Sequence, residues 1–162
     1  MAAKIVVVGS FNMDLTTYME RMPRPGETVH GRKFVTGPGG KGSNQAVAAA
    51  RLGADVTFVG RVGTDAFGDR AIATWQAEGI HTEFVIQDPE NATGVAPIFV
   101  EDSGENAIVV ALGANLALSA ADVDAAESAI AAADVLVVQL EIELETVAHA
   151  LAAARKHGVT TI

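Results

Sequence analysis

Residues 4–14 read KIVVVGSFNMD, a β-branched run that ends at a glycine and gives way to small and polar residues. A short apolar run bounded by glycine is typical of a buried strand in a parallel sheet. Similar runs follow at Asp55–Gly60, Asp134–Leu140 and Val159–Ile162. The sequence therefore predicts four core strands, with polar residues just beyond the carboxyl end of the first.

Helical patterns lie between these strands. Apolar spacing predicts a helix at Ser43–Leu52 and another that begins at the N-cap Asp65 and ends at Gly79. A third helix is predicted from the Ser119–Asp122 capping box to Ala132. A fourth is predicted from the apolar stripe that starts at Leu144 and ends at Gly158. Strands that alternate with helices imply βαβ units. The predicted fold class is α/β, with helices on both faces of a mainly parallel central sheet in a three-layer α/β/α arrangement.

Two more polar stretches interrupt this alternation. Gly26–Thr36 predicts an exposed pair of strands, because its few apolar residues are scattered. Thr93–Glu101 and Asn106–Leu112 flank the turn residues Asp102–Glu105 and predict a hairpin. We expect these stretches to form a small separate β-sheet.

Composition narrows the class of protein. The 162 residues are 49% hydrophobic and 19% charged, as in soluble globular domains. The net charge of −9 argues against a nucleic-acid partner, because no basic excess can neutralise phosphates. No segment has the length of a membrane span or the pattern of a signal peptide, so no membrane partner is expected. The absence of Cys excludes a thiolate nucleophile and fits a cytoplasmic location, and the four His show no metal-ligand spacing.

Asn12 and Asp14 are the first candidate site residues. They follow the first core strand, where ligands bind in open α/β folds. Two residues apart in an extended segment, their side chains share a face and offer an amide and a carboxylate to sugar hydroxyls. An Asx turn or a helix cap is an equally good explanation at this stage.

The second candidate is Gly37–Asn44, GPGGKGSN, at the start of the first helix. Glycines there let a ligand approach backbone N–H groups closely. Lys41 is informative because a cation at a helix N-terminus opposes the helix dipole, and a hydroxyl- or phosphate-bearing ligand would explain it. The alternative is a solvated lysine on a flexible turn.

This segment differs from one nucleotide-binding motif and matches another. A Walker A motif fails, because Val35 and Gly42 occupy positions that require Gly and Ser or Thr. Gly37, Gly39 and Gly42 do match the dinucleotide fingerprint G-x-G-x-x-G. A dinucleotide site remains an alternative, although no acid follows the second core strand near Arg61.

Glu141 is the third candidate, at the carboxyl end of the third core strand in Gln139-Leu-Glu141. An acid there can accept hydrogen bonds from hydroxyl groups. It could equally stabilise the N-terminus of the following helix, as Glu143 and Glu145 could.

In order along the chain, these segments resemble the ribokinase family of carbohydrate kinases. The motifs are Gly9–Asp14, Pro25–Thr28, Gly39–Ala46 with Ala48–Gly53, Gly60–Gly68, Thr93–Val95, Gly113–Asn115 and Gln139–Glu141. They cover essentially the whole chain.

The resemblance implies a sugar site. Asp14 would hold sugar hydroxyls with Asn12 beside it, Gly40, Lys41 and Asn44 would line the sugar, and Glu141 would contact it from the third strand. Segments 15–36 and 93–112 would form a lid that also serves as a homodimer interface. Ala96 and Ile98 would face the sugar, on either side of Pro97, which removes one ladder donor.

The same resemblance implies the activity: ATP-dependent transfer of the γ-phosphoryl group to the 5-hydroxyl of D-ribose, with Mg²⁺ and K⁺ as further cofactors. The family's catalytic Asp lies in a Gly-Ala-Gly-Asp motif, and Gly53-Ala-Asp55 lacks its second Gly. We therefore expect residues 1–162 to be the substrate-binding part, with no catalytic or metal-binding residues. The ATP-binding part is expected outside this chain, which ends within a strand pattern.

Three alternatives remain open from the sequence. They are another sugar or nucleoside kinase of the pfkB family, a non-catalytic sugar-binding or dimer-forming module, and the dinucleotide-binding domain.

Overall fold

Two β-sheets organise residues 2–162, the part of the chain that the computed structural model describes. The strands are β1 (Lys4–Val8), β2 (Asn12–Met19), β3 (Lys33–Gly39), β4 (Asp55–Gly63), β5 (His81–Asp88), β6 (Val95–Glu101), β7 (Asn106–Ile108), β8 (Val135–Val138) and β9 (Thr160–Thr161). The helices are α1 (Lys41–Arg51), α2 (Ala66–Ala77), α3 (Ala120–Ala125), α4 (Glu127–Ala131) and α5 (Leu144–Lys156), with a 3-10 turn at Gly113–Ala117.

The main sheet is five-stranded, in the order β5-β4-β1-β8-β9, and every pairing in it is parallel. Alternate residues of β1 face opposite layers: Val6 and Val8 pack with residues of α3, α4 and α5, and Val7 packs with residues of α1 and α2. Trp75 of α2 is fully buried there. The predicted three-layer α/β/α class is confirmed.

The smaller sheet has the order β3-β2-β6-β7, with β2 and β6 parallel and the outer pairs antiparallel. Pro97 pairs opposite Leu15, and its carbonyl accepts the Val109 N–H at 3.0 Å. The proline therefore costs the ladder one donor without ending it, because pairing continues on both sides. The predicted small separate sheet is confirmed, with β2 as a central strand.

Several boundaries differ from the sequence prediction. Strand β5 was not predicted, because His, Glu and Gln dilute its apolar pattern at the sheet edge. Residues 25–32 form turns and irregular backbone, so Gly26–Thr36 contributes one strand, β3, and not a pair. The helix predicted over residues 119–132 is divided at Ala126, although the capping box at Ser119 is present. Strand β8 ends at Val138, which leaves Glu141 in the following loop.

The part of the chain described here, residues 2–162, contains no helix long and apolar enough to span a bilayer.

Candidate functional site

The candidate site lies at the carboxyl ends of β1 and β8, where the chain crosses from the main sheet into the smaller one. The start of α1 packs directly on the connection between β1 and β2. Gly40 has φ 87°, and a Cβ added to it would lie 2.7 Å from the Asn12 backbone nitrogen. A Cβ on Gly42 would lie 2.6 Å from the Ser10 nitrogen. These two glycines thus permit a close approach between α1 and the protein's own backbone, whereas the sequence had predicted room for a ligand.

Glu141 joins three parts of this site. Its Oε2 accepts hydrogen bonds from the Ser10 hydroxyl at 2.7 Å and the Lys41 backbone N–H at 2.9 Å, while Oε1 forms an ion pair with Lys41 Nζ. Burial raises the pKa of Glu141, but the hydrogen bonds from Lys41 and Ser10 outweigh it and leave the pKa lowered. Glu141 therefore stays ionised and compensates the N-terminus of α1, not that of α5.

This ion pair gives a reason within the protein for a cation at the start of α1. The Lys41 side chain is 68% exposed and that of Glu141 only 15%, so the ammonium group reaches the open cleft from a fixed carboxylate. The pair presents donors and an acceptor side by side, which suits a ligand with several hydroxyl groups.

Asp14 differs from Glu141 in having no recorded hydrogen-bond partner among residues 2–162. It lies half-buried on β2, opposite Gly37 of β3 and Ala96 of β6. Burial, and then the negative charge of Glu141, raise its pKa. A carboxylate held in a cleft without a protein donor is an acceptor available to a ligand.

Asn12 and Asp14 both lie in a strand, so neither the Asx-turn nor the helix-cap explanation applies. Ala96 pairs opposite Asp14, and Ile98 opposite Thr16, so both share the face of the smaller sheet that carries Asp14.

Asn44 lies one turn into α1 and is exposed. Among the described residues, its side chain makes no hydrogen bond to Asp14, Lys41 or Glu141, and it borders a cavity between α1 and α2.

Three further residues support the site, and no role was predicted for them from the sequence. Ser10 bonds Glu141; Gln139 accepts the Ser10 N–H at 3.3 Å and donates to the Val8 carbonyl at 3.1 Å. Asn115 is fully buried and bonds the Phe11 backbone. Each lies inside one of the family-like motifs, but the partners named here are about 100 or more residues away, so motif spacing could not identify these contacts.

The start of α1 does not fit a phosphate group. Its first four amides already donate: Lys41 to Glu141, Gly42 to Ser10 Oγ at 3.4 Å, Ser43 to the Ser10 carbonyl at 2.9 Å, and Asn44 to the Gly40 carbonyl at 2.9 Å. The Glu141 carboxylate would also repel a phosphate. This geometry argues against the dinucleotide alternative and offers no ATP phosphate site here. Nor do residues 2–162 contain a cluster of three or more side chains suited to bind a metal ion.

Comparisons with known proteins agree with this architecture. The chain is 47% identical to a mouse ribokinase over 161 residues, which are 99% of this chain and 50% of the relative. It is 44% identical over 158 residues to a deoxyribokinase of Salmonella typhi, covering 98% of this chain and 52% of that protein. A structure of Arabidopsis thaliana ribokinase complexed with ribose and ATP matches with a TM-score of 0.87 at 33% identity, over 99% of this chain and 53% of that one.

The chain thus spans about half the length of the curated relatives it matches. The family model described as pfkB family carbohydrate kinase matches residues 2–162. On this match and on its fold, the chain belongs to the pfkB family of carbohydrate kinases.

Proposed function

We propose that this chain is the sugar-binding part of an ATP-dependent kinase that converts D-ribose to D-ribose 5-phosphate. The observation that carries the proposal is the half-buried Asp14 carboxylate, free of protein donors, beside the ion pair of Lys41 and Glu141. The relatives named ribokinase support the choice of ribose.

In this proposal each side chain has a defined chemical role. Asp14 accepts hydrogen bonds from sugar hydroxyls, and Lys41 Nζ and the Asn12 amide donate to sugar oxygens. Glu141 holds the ammonium group of Lys41 and accepts from a further hydroxyl. Gly40 and Asn44 border the sugar from α1, and Ala96 and Ile98 cover it from the smaller sheet, which acts as the lid.

Phosphoryl transfer requires more than these residues provide. The 5-hydroxyl must lose a proton to a base as its oxygen bonds the γ-phosphorus, and the bond to ADP must break. The amides at the start of α1 are already engaged within the protein, and no cluster of three or more metal-binding side chains lies among residues 2–162. We propose that the base and the sites for ATP, Mg²⁺ and K⁺ belong to a second half of the protein.

A second candidate substrate is 2-deoxyribose, favoured by the almost equal identity to a deoxyribokinase. A non-catalytic sugar-binding role remains the alternative if no second half exists. Either would use the same cleft.

Two measurements on this chain test the proposal. Isothermal titration calorimetry with ribose, 2-deoxyribose and fructose should show pentose binding that Asp14→Ala removes. ADP release should stay at background with MgATP, potassium and ribose, each omitted in turn. Ribose-dependent ADP release would contradict the assignment of catalysis to a second half. An Asp14→Ala variant that binds ribose with unchanged affinity would overturn the assignment of the sugar site.

A further inference from the structure

Asn115 is a fully buried side chain that no proposed sugar contact uses. Its Oδ1 accepts the Phe11 N–H at 2.9 Å, and its Nδ2 donates to the carbonyls of Phe11 at 2.8 Å and Leu112 at 2.7 Å. A backbone N–H can only donate and a backbone carbonyl can only accept. The Asn115 amide is therefore held in one orientation.

That orientation determines how Asn12 is turned. Asn115 Nδ2 has two hydrogens, so its third contact, to Asn12 Oδ1 at 3.1 Å, shares one of them. An NH₂ group in the place of Asn12 Oδ1 would be repelled by the Asn115 NH₂ group, so the Asn12 amide turns its oxygen toward Asn115 and its NH₂ group away. Asn12 is 3% exposed, and its NH₂ group has no recorded partner among the described residues. No fully buried side-chain nitrogen or oxygen in that part of the chain lacks a partner, so this group keeps some exposed surface. The position of Asn12 two residues before Asp14 in β2 places that surface on the side of the cleft.

Gly94 provides the space for this contact. A Cβ at Gly94 would collide with both Asn12 Oδ1 and Asn115 Nδ2. The Gly94 carbonyl accepts the Met13 N–H at 2.8 Å, which fixes the next residue of β2 in place. The absence of a side chain at Gly94 is thus a condition for the bond between the two asparagines.

We propose that Asn115 is a positioning residue that makes Asn12 a hydrogen-bond donor to the ligand. The inference rests on the proposed function, because the ligand it serves is the sugar. Asn12 shares the face of β2 with Asp14, so the cleft presents a fixed donor two residues from a fixed acceptor. A ligand that matches both has a hydroxyl oxygen that accepts from Asn12 near a hydroxyl that donates to Asp14.

The test uses this chain and the variants Asn115→Ala and Gly94→Ala. Thr146→Val is the matched control, since it deletes a buried hydroxyl bond of 2.7 Å to the Leu118 carbonyl without touching Asn12. Affinities for ribose and its 2-deoxy and 3-deoxy analogues are measured by calorimetry. Side-chain amide exchange is followed in nitrogen–proton correlation spectra, with Asn12 assigned from the spectrum of Asn12→Ser.

In the wild type, we expect the Asn115 amide protons to be protected from exchange and those of Asn12 to exchange freely. One deoxy analogue should bind about tenfold more weakly than ribose, as expected when a donor loses its partner. In Asn115→Ala and Gly94→Ala this ratio should fall below about twofold, whereas Thr146→Val, which loses one buried hydrogen bond elsewhere in the core, should keep it.

The two proposals fail in different ways. If the wild type binds no sugar, the proposed function falls, while the exchange pattern still supports or overturns the orientation of Asn12. Protected Asn12 protons, or an unchanged analogue ratio in a folded Asn115→Ala or Gly94→Ala variant, overturn the role of Asn115.

Discussion

Asp14 and Glu141 are two carboxylates in one cleft whose surroundings move their pKa values in opposite directions. Glu141 is satisfied by Lys41 and Ser10, and its pKa is lowered. Asp14 lacks a donor, and burial and the Glu141 charge raise its pKa. The difference separates their states in the free chain: Glu141 is already paired within the protein and has only spare acceptor capacity for a ligand, whereas Asp14 depends on a ligand for its first donor.

The raised pKa of Asp14 predicts that its carboxylate lowers the stability of the fold at neutral pH while it strengthens sugar binding. The folded chain holds the Asp14 proton to a higher pH than the unfolded chain does. Stability should therefore fall as the pH rises between the ordinary and the raised pKa, and stay lower at neutral pH. We expect Asp14→Asn to raise the midpoint of thermal unfolding at about pH 7 and to weaken sugar binding about tenfold or more.

Calorimetry and thermal unfolding from about pH 7 to about pH 4 check this prediction. Sugar affinity of the wild type should decline as the pH falls through the raised pKa of Asp14, and Asp14→Asn should remove that decline. A lower unfolding midpoint for Asp14→Asn at neutral pH would contradict the burial argument.

At the scale of elements, the cleft depends on how closely α1 approaches the connection between β1 and β2. A Cβ on Gly42 would lie 2.6 Å from the Ser10 nitrogen and 2.9 Å from its carbonyl oxygen, closer than real contacts allow. Gly42→Ala should therefore push α1 outward and cost roughly 2 kcal/mol in unfolding free energy. It should also weaken sugar binding, because Lys41 moves with the helix.

Gly37→Ala is the matched control for this prediction. A Cβ on Gly37 meets no atom within 4 Å, and its φ is not in the left-handed region. Urea unfolding of both variants should show a loss for Gly42→Ala and a change within about 0.5 kcal/mol for Gly37→Ala. Equal effects would mean that the close approach of α1 is not what makes glycine necessary at residue 42.

The elements also show what the sequence could and could not predict. β1 and β4 were predictable because β-branched runs bounded by glycine need no partner to be recognised. β5 was missed because an edge strand needs only partial burial, and its half-exposed residues carry little pattern. The sequence predicted Lys41 at the start of a helix and Glu141 at the carboxyl end of a core strand. Their ion pair joins residues 100 positions apart, and no local sequence pattern encodes such a contact.

At the scale of the whole molecule, one face of the smaller sheet carries more exposed apolar residues within its strands than the opposite face does. Tyr18, Val35 and Ile108 are 39%, 38% and 52% exposed. The strand registers place all three on the face that carries Asp14, beyond the cleft. Within the strands, the opposite face has one comparable residue, Phe34, at 61% exposure.

Exposed apolar residues grouped beside a proposed binding cleft are typical of an interaction surface, and the proposed partner is a second copy of this chain. We expect sedimentation equilibrium to show a concentration-dependent dimer. Ile108→Lys should weaken it at least about tenfold, because the ammonium group would be buried without a partner. Phe34→Lys changes an exposed apolar residue on the other face of the same sheet, and the dimer should survive it. A monomer at all concentrations would contradict dimerisation, and a dimer lost only in Phe34→Lys would place the interface on the face away from Asp14.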